Sequence, residues 1–217
     1  MARSLIIAAA TETLGNADGF PIPKIVFGYL IVEQLVSFTF TSLAIEGLVL
    51  VKPTTRGDSR GWFREMFKSE DFEAVGIPGA FIQENASQSV QGVLRGLHFQ
   101  RPPFAQGKLV SVTAGSVFDV AVDLRSGSPT YGQWVGEELS IENGHQLWIP
   151  EGFAHGFCVL SDQAQLAYKV TAPYSGPHDG GVLWNDPVIG IAWPINDPLL
   201  SDKDLAQPLL AECVHGF

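Results

Sequence analysis

Between residues 81 and 171 the apolar positions fall into short runs and show no helical period. The runs are 81–86, 93–99, 109–114, 117–124, 134–141, 146–149, 156–160 and 166–171. Gly, Pro, Asn and Ser separate them, so the chain turns about every ten residues, the rhythm of a β-sandwich or barrel. Two more strands are expected at 38–40 and 48–51, on either side of a turn at Glu46 and Gly47. The stretch 54–63, TTRGDSRGWF, reads as a loop. At 69–75, SEDFEAV reads as a short helix with Ser69 as its cap and an acidic first turn. Gly76 and Pro78 end it. A second short helix is expected at 201–205. The fold class is all-β with a few short helices.

One run alternates by parity. In VFDVAVDLR, Asp119 and Asp123 share one parity, as they would on a strand lining a polar pocket or on one with a solvated face. Residues 1–37 stand apart, with no block of chemistry in them; they are expected to be an extension of unassigned role, and 38–217 a single domain. The apolar stretch 25–51 is interrupted by Glu33, Gln34 and Glu46. It lacks the roughly 18 uninterrupted apolar residues of a membrane span, so no membrane association is expected.

Charge narrows the partners. Thirteen Lys and Arg against 23 Asp and Glu give a net charge of −10. Non-specific binding to nucleic acid or to an anionic membrane does not fit such a chain. Arg60, Arg95, Lys108 and Lys203 nevertheless sit beside motif-like residues, which points to a small anionic ligand. Cys158 and Cys213 make no disulfide framework, and a reducing cytoplasm is expected.

The chemistry centres on 92–108, GVLRGLHFQRPPFAQGK. His98 lies there among apolar neighbours and the cations Arg95, Arg101 and Lys108. It reads either as a base in an anion site or as a satisfied core histidine. Further on, Gly144, Pro150, Gly152 and His155 have the spacing G-x5-P-x-G-x2-H. This resembles the second motif of the cupin superfamily of jelly-roll barrels. The first cupin motif supplies H-x-H and then a Glu to a metal. Here Gln100 follows His98, and no Glu comes before Gly115. Two histidines alone make a poor site for zinc, iron or manganese, so no metal and no other cofactor is expected.

The ordered blocks DSRGWFRE, FIQENASQS, VLRGLHFQ, QGKLV, FDVAVDLRSGSPTYGQW, LWIPEGFAHGF, LWNDP, IAWP and LLSDKD resemble the dTDP-4-dehydrorhamnose 3,5-epimerase family over about 38–210. The resemblance implies a cupin-like jelly-roll β-barrel, a homodimer that exchanges N-terminal strands, and cofactor-independent inversion of C3 and C5 in dTDP-4-dehydro-6-deoxy-D-glucose. Both carbons are α to the C4 carbonyl. Inversion there needs a base on one face, an acid on the other, and stabilisation of the enolate oxygen. By the resemblance His98 is the base, Asp204 its orienting partner, Tyr168 the acid and Lys108 the cation near the enolate. Arg60, Glu65, Gln83, Asn85, Arg95, His155, Asp179 and Lys203 match substrate-binding positions. Tyr174 and the pair Trp62 and Phe63 are candidates for stacking on thymine. Read without the family, Ser201 and Asp204 are also a helix-capping pair, and Tyr168 also reads as a buried barrel tyrosine. A single-carbon epimerase, a ketoisomerase and a non-catalytic nucleotide-sugar-binding cupin are the alternatives.

Overall fold

A computed structural model of the protein describes residues 37–217. The expected extension therefore lies outside the described residues, Ser37 apart. The described strands are β1 (Phe38–Ser42), β2 (Val49–Pro53), β3 (Thr55–Asp58), β4 (Gly61–Arg64), β5 (Gln83–Val90), β6 (Leu94–Gln100), β7 (Lys108–Ala114), β8 (Ser116–Asp123), β9 (Trp134–Ser140), β10 (Gln146–Ile149), β11 (Phe153–Val159), β12 (Gln163–Val170) and β13 (Asp179–Gly181). Two short helices, α1 (Ser69–Glu73) and α2 (Asp202–Leu205), complete the elements that matter here. Among the described residues no helix is long and apolar enough to cross a membrane.

Two antiparallel sheets face each other. One has the order β1-β2-β10-β7-β12-β5, the other β13-β6-β11-β8-β9. Leu50, Val110, Val112, Leu147 and Leu166 of the first meet Val117, Ala121, Leu139, Phe157 and Val159 of the second in one core. Each Val, Leu or Phe among them stabilises the fold by about 1.5–3 kcal/mol on burial. The outer faces are covered too. Phe72 and Ile77, in and just after α1, pack with Phe38, Val51, Leu109 and Trp148 of the six-stranded sheet. Phe72 makes edge-on contacts with Phe38 and Phe40, at 5.1 and 5.2 Å between centroids. The C-terminal segment supplies Val182, Ile189 and Leu210 against Leu97, Phe99, Val120 and Val122 of the five-stranded sheet. Burial on both faces explains why β8 is so apolar. It also overturns the solvated-face reading of its parity, because Asp119 and Asp123 are both fully buried.

Every expected strand is present, most with shifted ends and β10 with the expected ones. β5 runs to Val90 and β12 begins at Gln163, beyond the apolar runs. Their alternate residues are polar because one face is exposed or lines a cleft, so hydrophobicity does not mark them. Two expectations are corrected. The stretch 54–63 is mostly the hairpin β3–β4, closed by the Arg60 backbone N–H donating to Asp58 Oδ1 at 2.8 Å. Ser69 does not cap α1: it is the first helical residue, and Lys68 occupies the cap position with no side-chain bond.

Candidate active site

Strands β6 and β11 set the floor of the site. His98 pairs with His155, and Arg95 pairs with Phe157. Three steps along β6 thus match two along β11, a β-bulge. Strict alternation would place Arg95 and His98 on opposite faces; the bulge lets both line one cleft. Gly96 makes this approach possible. Its φ is +124°, and a Cβ there would lie 2.6 Å from Gly156 Cα and 2.8 Å from the His155 carbonyl oxygen.

The cleft has a volume of about 290 Å³. The five-stranded sheet contributes Arg95, His98, His155 and Asp179. The six-stranded sheet contributes Gln83, Asn85, Lys108 and Tyr168, while Tyr174 and Lys203 close its rim. Among the described residues, a larger hollow of about 540 Å³ has Glu46 and Glu151 as its only ionisable lining groups and no cation or histidine.

His98 Nε2 donates to Asp204 Oδ1 at 2.5 Å. Asp204 is buried, its side chain 5% exposed. Burial by itself raises its pKa, but hydrogen bonds from His98, from Ser201 and from the Gly96 backbone N–H together hold it below the ordinary carboxylate value. Ser201 Oγ–H donates to Asp204 Oδ2 at 2.7 Å, and Ser201 Oγ accepts the Asp204 backbone N–H at 3.2 Å. The capping pair and the histidine partner are therefore one arrangement: the cap of α2 aims the carboxylate at His98. Nδ1 of His98 is left for a ligand.

Tyr168 stands on β12, between Asn85 of β5 and Val110 of β7. Burial pushes its phenol up, and the Arg95 cation offsets part of this. Lys108 is buried, which lowers its ammonium to about 8; Asp119 and Asp179 act in the other direction. Its Nζ donates to the His98 carbonyl at 3.4 Å. Asp179 is ion-paired to Lys203. Gln83 Nε2 donates to Asn85 Oδ1 at 2.8 Å, and Gln83 Oε1 accepts the Tyr174 backbone N–H at 3.1 Å.

Three groups of residues depart from the sequence expectation. Arg60, Trp62 and Phe63 lie on the β3–β4 hairpin and do not line the cleft of their own chain. Arg60 pairs with Asp58 at 2.5 Å, and its side chain is 87% exposed. Trp62 and Phe63 are 56% and 64% exposed. Glu65, just after β4, is also outside the cleft. Conversely, Ser87, Gln106 and Phe157 line the cleft without having been singled out. Ser87 was legible from the alternation Gln83, Asn85, Ser87 on one strand. Gln100 is scaffold: its amide donates to the Phe104 and Pro173 carbonyls and accepts the Ser175 N–H. Among the described residues, no group of three or more His, Cys, Asp or Glu is arranged to hold a metal ion.

Ionisable groups that face each other across the gap between two sheets suit a ring that must lose a proton from one face and regain it on the other. That is the chemistry of an isomerase, here on a cupin-type jelly roll. The chain belongs to the dTDP-4-dehydrorhamnose 3,5-epimerase family, whose profile matches residues 42–212. It is 56% identical over 162 residues to the dTDP-4-dehydrorhamnose 3,5-epimerase of Shigella flexneri, covering 74% of this chain and 90% of that one. A solved dTDP-6-deoxy-D-glucose-3,5-epimerase of Legionella pneumophila, in complex with dTDP-4-keto-L-rhamnose, superposes with a TM-score of 0.78. It is 49% identical, with 81% of this chain and 94% of that one covered. A dTDP-4-dehydrorhamnose 3-epimerase of Streptomyces niveus is 44% identical over 171 residues, 78% of this chain and 83% of that one.

Proposed function

We propose that the protein epimerises dTDP-4-dehydro-6-deoxy-D-glucose at C3 and C5, giving dTDP-4-dehydro-L-rhamnose. The observation that carries this is the placement of His98 and Tyr168 on opposing sheets around one cleft. Asp204 holds the imidazole by Nε2, and Nδ1 takes the proton from the carbon next to the ketone. The electron pair moves to the C4 oxygen, where the Lys108 ammonium meets it. Tyr168 then gives its proton to the opposite face of the carbon. Each inversion leaves an imidazolium and a phenolate, which reset by exchange with solvent. The first is stabilised by the Asp204 carboxylate. Arg95 and Lys203 supply cations for the diphosphate, and Gln83, Asn85, His155 and Asp179 hold the rest of the substrate. The reading requires neither a metal nor a redox cofactor.

The catalytic domain in this proposal is 38–217, working in the cytoplasm, with 1–37 outside the chemistry. The working unit is a homodimer. Arg60, Trp62 and Phe63 form an exposed basic and aromatic hairpin that does not serve the cleft of its own chain. Placed over the cleft of a second copy, with Glu65 beside it, the hairpin brings a stacking surface and a cation to the nucleotide. Proton–deuterium exchange on the substrate in D2O, read carbon by carbon, tests the activity. Wash-in and inversion at both C3 and C5 are expected. Exchange at C3 alone would make it a 3-epimerase, and none at either carbon would refute the proposal.

A further inference from the structure

Asp119 is fully buried on β8, facing the opposite sheet. Its Oδ2 accepts from His155 Nε2 at 2.8 Å. Its Oδ1 is buried as well and has no hydrogen-bond partner among the described residues. An unpaired carboxylate oxygen in a dry interior is costly, and packing does not call for one. Val117 and Ala121, on the same face of the same strand, show what this wall holds elsewhere. The ionisable groups facing Asp119 are few. His155 comes from β11, and Lys108, from β7, feels its charge. Glu137 is its register partner on β9, and burial pushes that carboxyl up.

We propose that Asp119 is a positioning residue for the cleft. It fixes His155 with Nε2–H turned inward and Nδ1 left to the ligand, and it supplies the counter-charge that keeps Lys108 an ammonium. This rests on the proposed epimerase reading for what Lys108 does, but not for the two contacts themselves. The groups acting on Lys108 come from several elements. Burial has the largest effect and lowers it to about 8, Asp119 and Asp179 (β13) favour its charge, and Lys203 (α2) opposes it. His98 and Arg95 (β6), His155 (β11) and Tyr168 (β12) line the same cleft. Asp119 is the one acid among them that is fully buried; Asp179 is shared with Lys203.

The test is Asp119→Asn in the full chain, assayed for deuterium wash-in from pH 6 to pH 9. The amide keeps the shape and can still accept from His155, but the charge is gone. The alkaline limb of activity should move down by about one pH unit, a loss of about fivefold at pH 8 and about tenfold at pH 9 that shrinks towards wild type at pH 6. The Lys108 Cε resonance should titrate at correspondingly lower pH. A loss of the same size at every pH would mark Asp119 as structural and overturn the proposal. A wild-type measurement stands beside the variant, in case that fails to fold: long-range proton–nitrogen spectra should show His155 Nε2 carrying a proton throughout. An unprotonated Nε2 would overturn the proposal as well. Absence of wash-in from the wild-type protein would instead refute the epimerase reading, and the two resonance measurements would still decide the role of Asp119.

Discussion

Asp204 Oδ1 lies 2.5 Å from His98 Nε2, although 106 residues separate the two in the chain. The contact exists because the C-terminal segment wraps the outer face of the five-stranded sheet and on its way brings α2 beside β6. Asp204→Asn keeps the shape and the capping bond to Ser201 but removes the charge that supports an imidazolium. The expected loss in kcat is on the order of 10²- to 10⁴-fold, with the thermal transition near that of wild type. Steady-state kinetics together with a melting curve check it; full activity would leave the carboxylate with the capping role alone.

Tyr168→Phe removes a proton donor and leaves the histidine untouched. The enolate still forms, and it is reprotonated from the side it left. Deuterium wash-in should therefore survive better than net inversion. The quantity to measure is the ratio of the two at each carbon. Equal losses would show that Tyr168 is more than a donor on the far wall.

Lys108 couples activity to stability in opposite senses. Burial lowers its folded-state ammonium to about 8, from an ordinary value of 10.5. Below pH 8 the folded protein bears the whole cost of burying the charge, and this cost fades as pH rises from 8 through 10.5. Lys108→Met should therefore stabilise the protein at pH 7 by up to about 3 kcal/mol, with much less effect at pH 10.5. Epimerisation should fall sharply in the same variant. Denaturant midpoints at the two pH values decide, and a variant less stable than wild type at pH 7 would refute the account.

The exchanged hairpin has its own test. Arg60→Ala and His98→Ala chains each carry one defect. In a mixed dimer, one of the two clefts receives an intact His98 from its own chain and an intact hairpin from its partner. Co-expression in equal amounts should return roughly a quarter of wild-type activity at low substrate, where each parent alone is poor. Activity no greater than the sum of the parents would place the hairpin outside the cleft.

The metal reading can be removed directly. His98 and His155 are each bonded to a carboxylate, and Gln100 is bonded to three backbone groups. Treatment with a chelator should leave turnover unchanged, and a loss restored by a single added metal would refute the expectation.

The sequence carried more of the strands than of their edges. Apolar runs located the core of each strand, because core packing selects those residues. They missed the start of β12 and the end of β5, whose polar side chains face solvent or the cleft. They also missed the β3–β4 hairpin, whose residues are exposed and select no hydrophobic pattern. The same limit holds in the site. Ser201 and Asp204 were legible as a cap by their spacing, and only the path of the chain brings His98 to them. Arg95 and His98 look incompatible by strand alternation; the bulge at Gly96 reconciles them, and a bulge leaves little trace beyond its glycine. Asp119 was visible as an odd carboxylate in an apolar strand, but its partner 36 residues away was not.

His98 belongs to one sheet and Tyr168 to the other, so the thickness of the sandwich is also the jaw width of a caliper closed on a sugar ring. That width is set by side chains such as Val112, Leu139 and Leu166, which do not line the cleft. Trimming one of them changes the gap more than it changes the shape of either wall. The loss should then appear as poor stereochemical fidelity, with protons exchanged but returned to the wrong face, while nucleotide affinity stays intact. Steric control of handedness in this protein would thus reside in its oiliest and least polar layer.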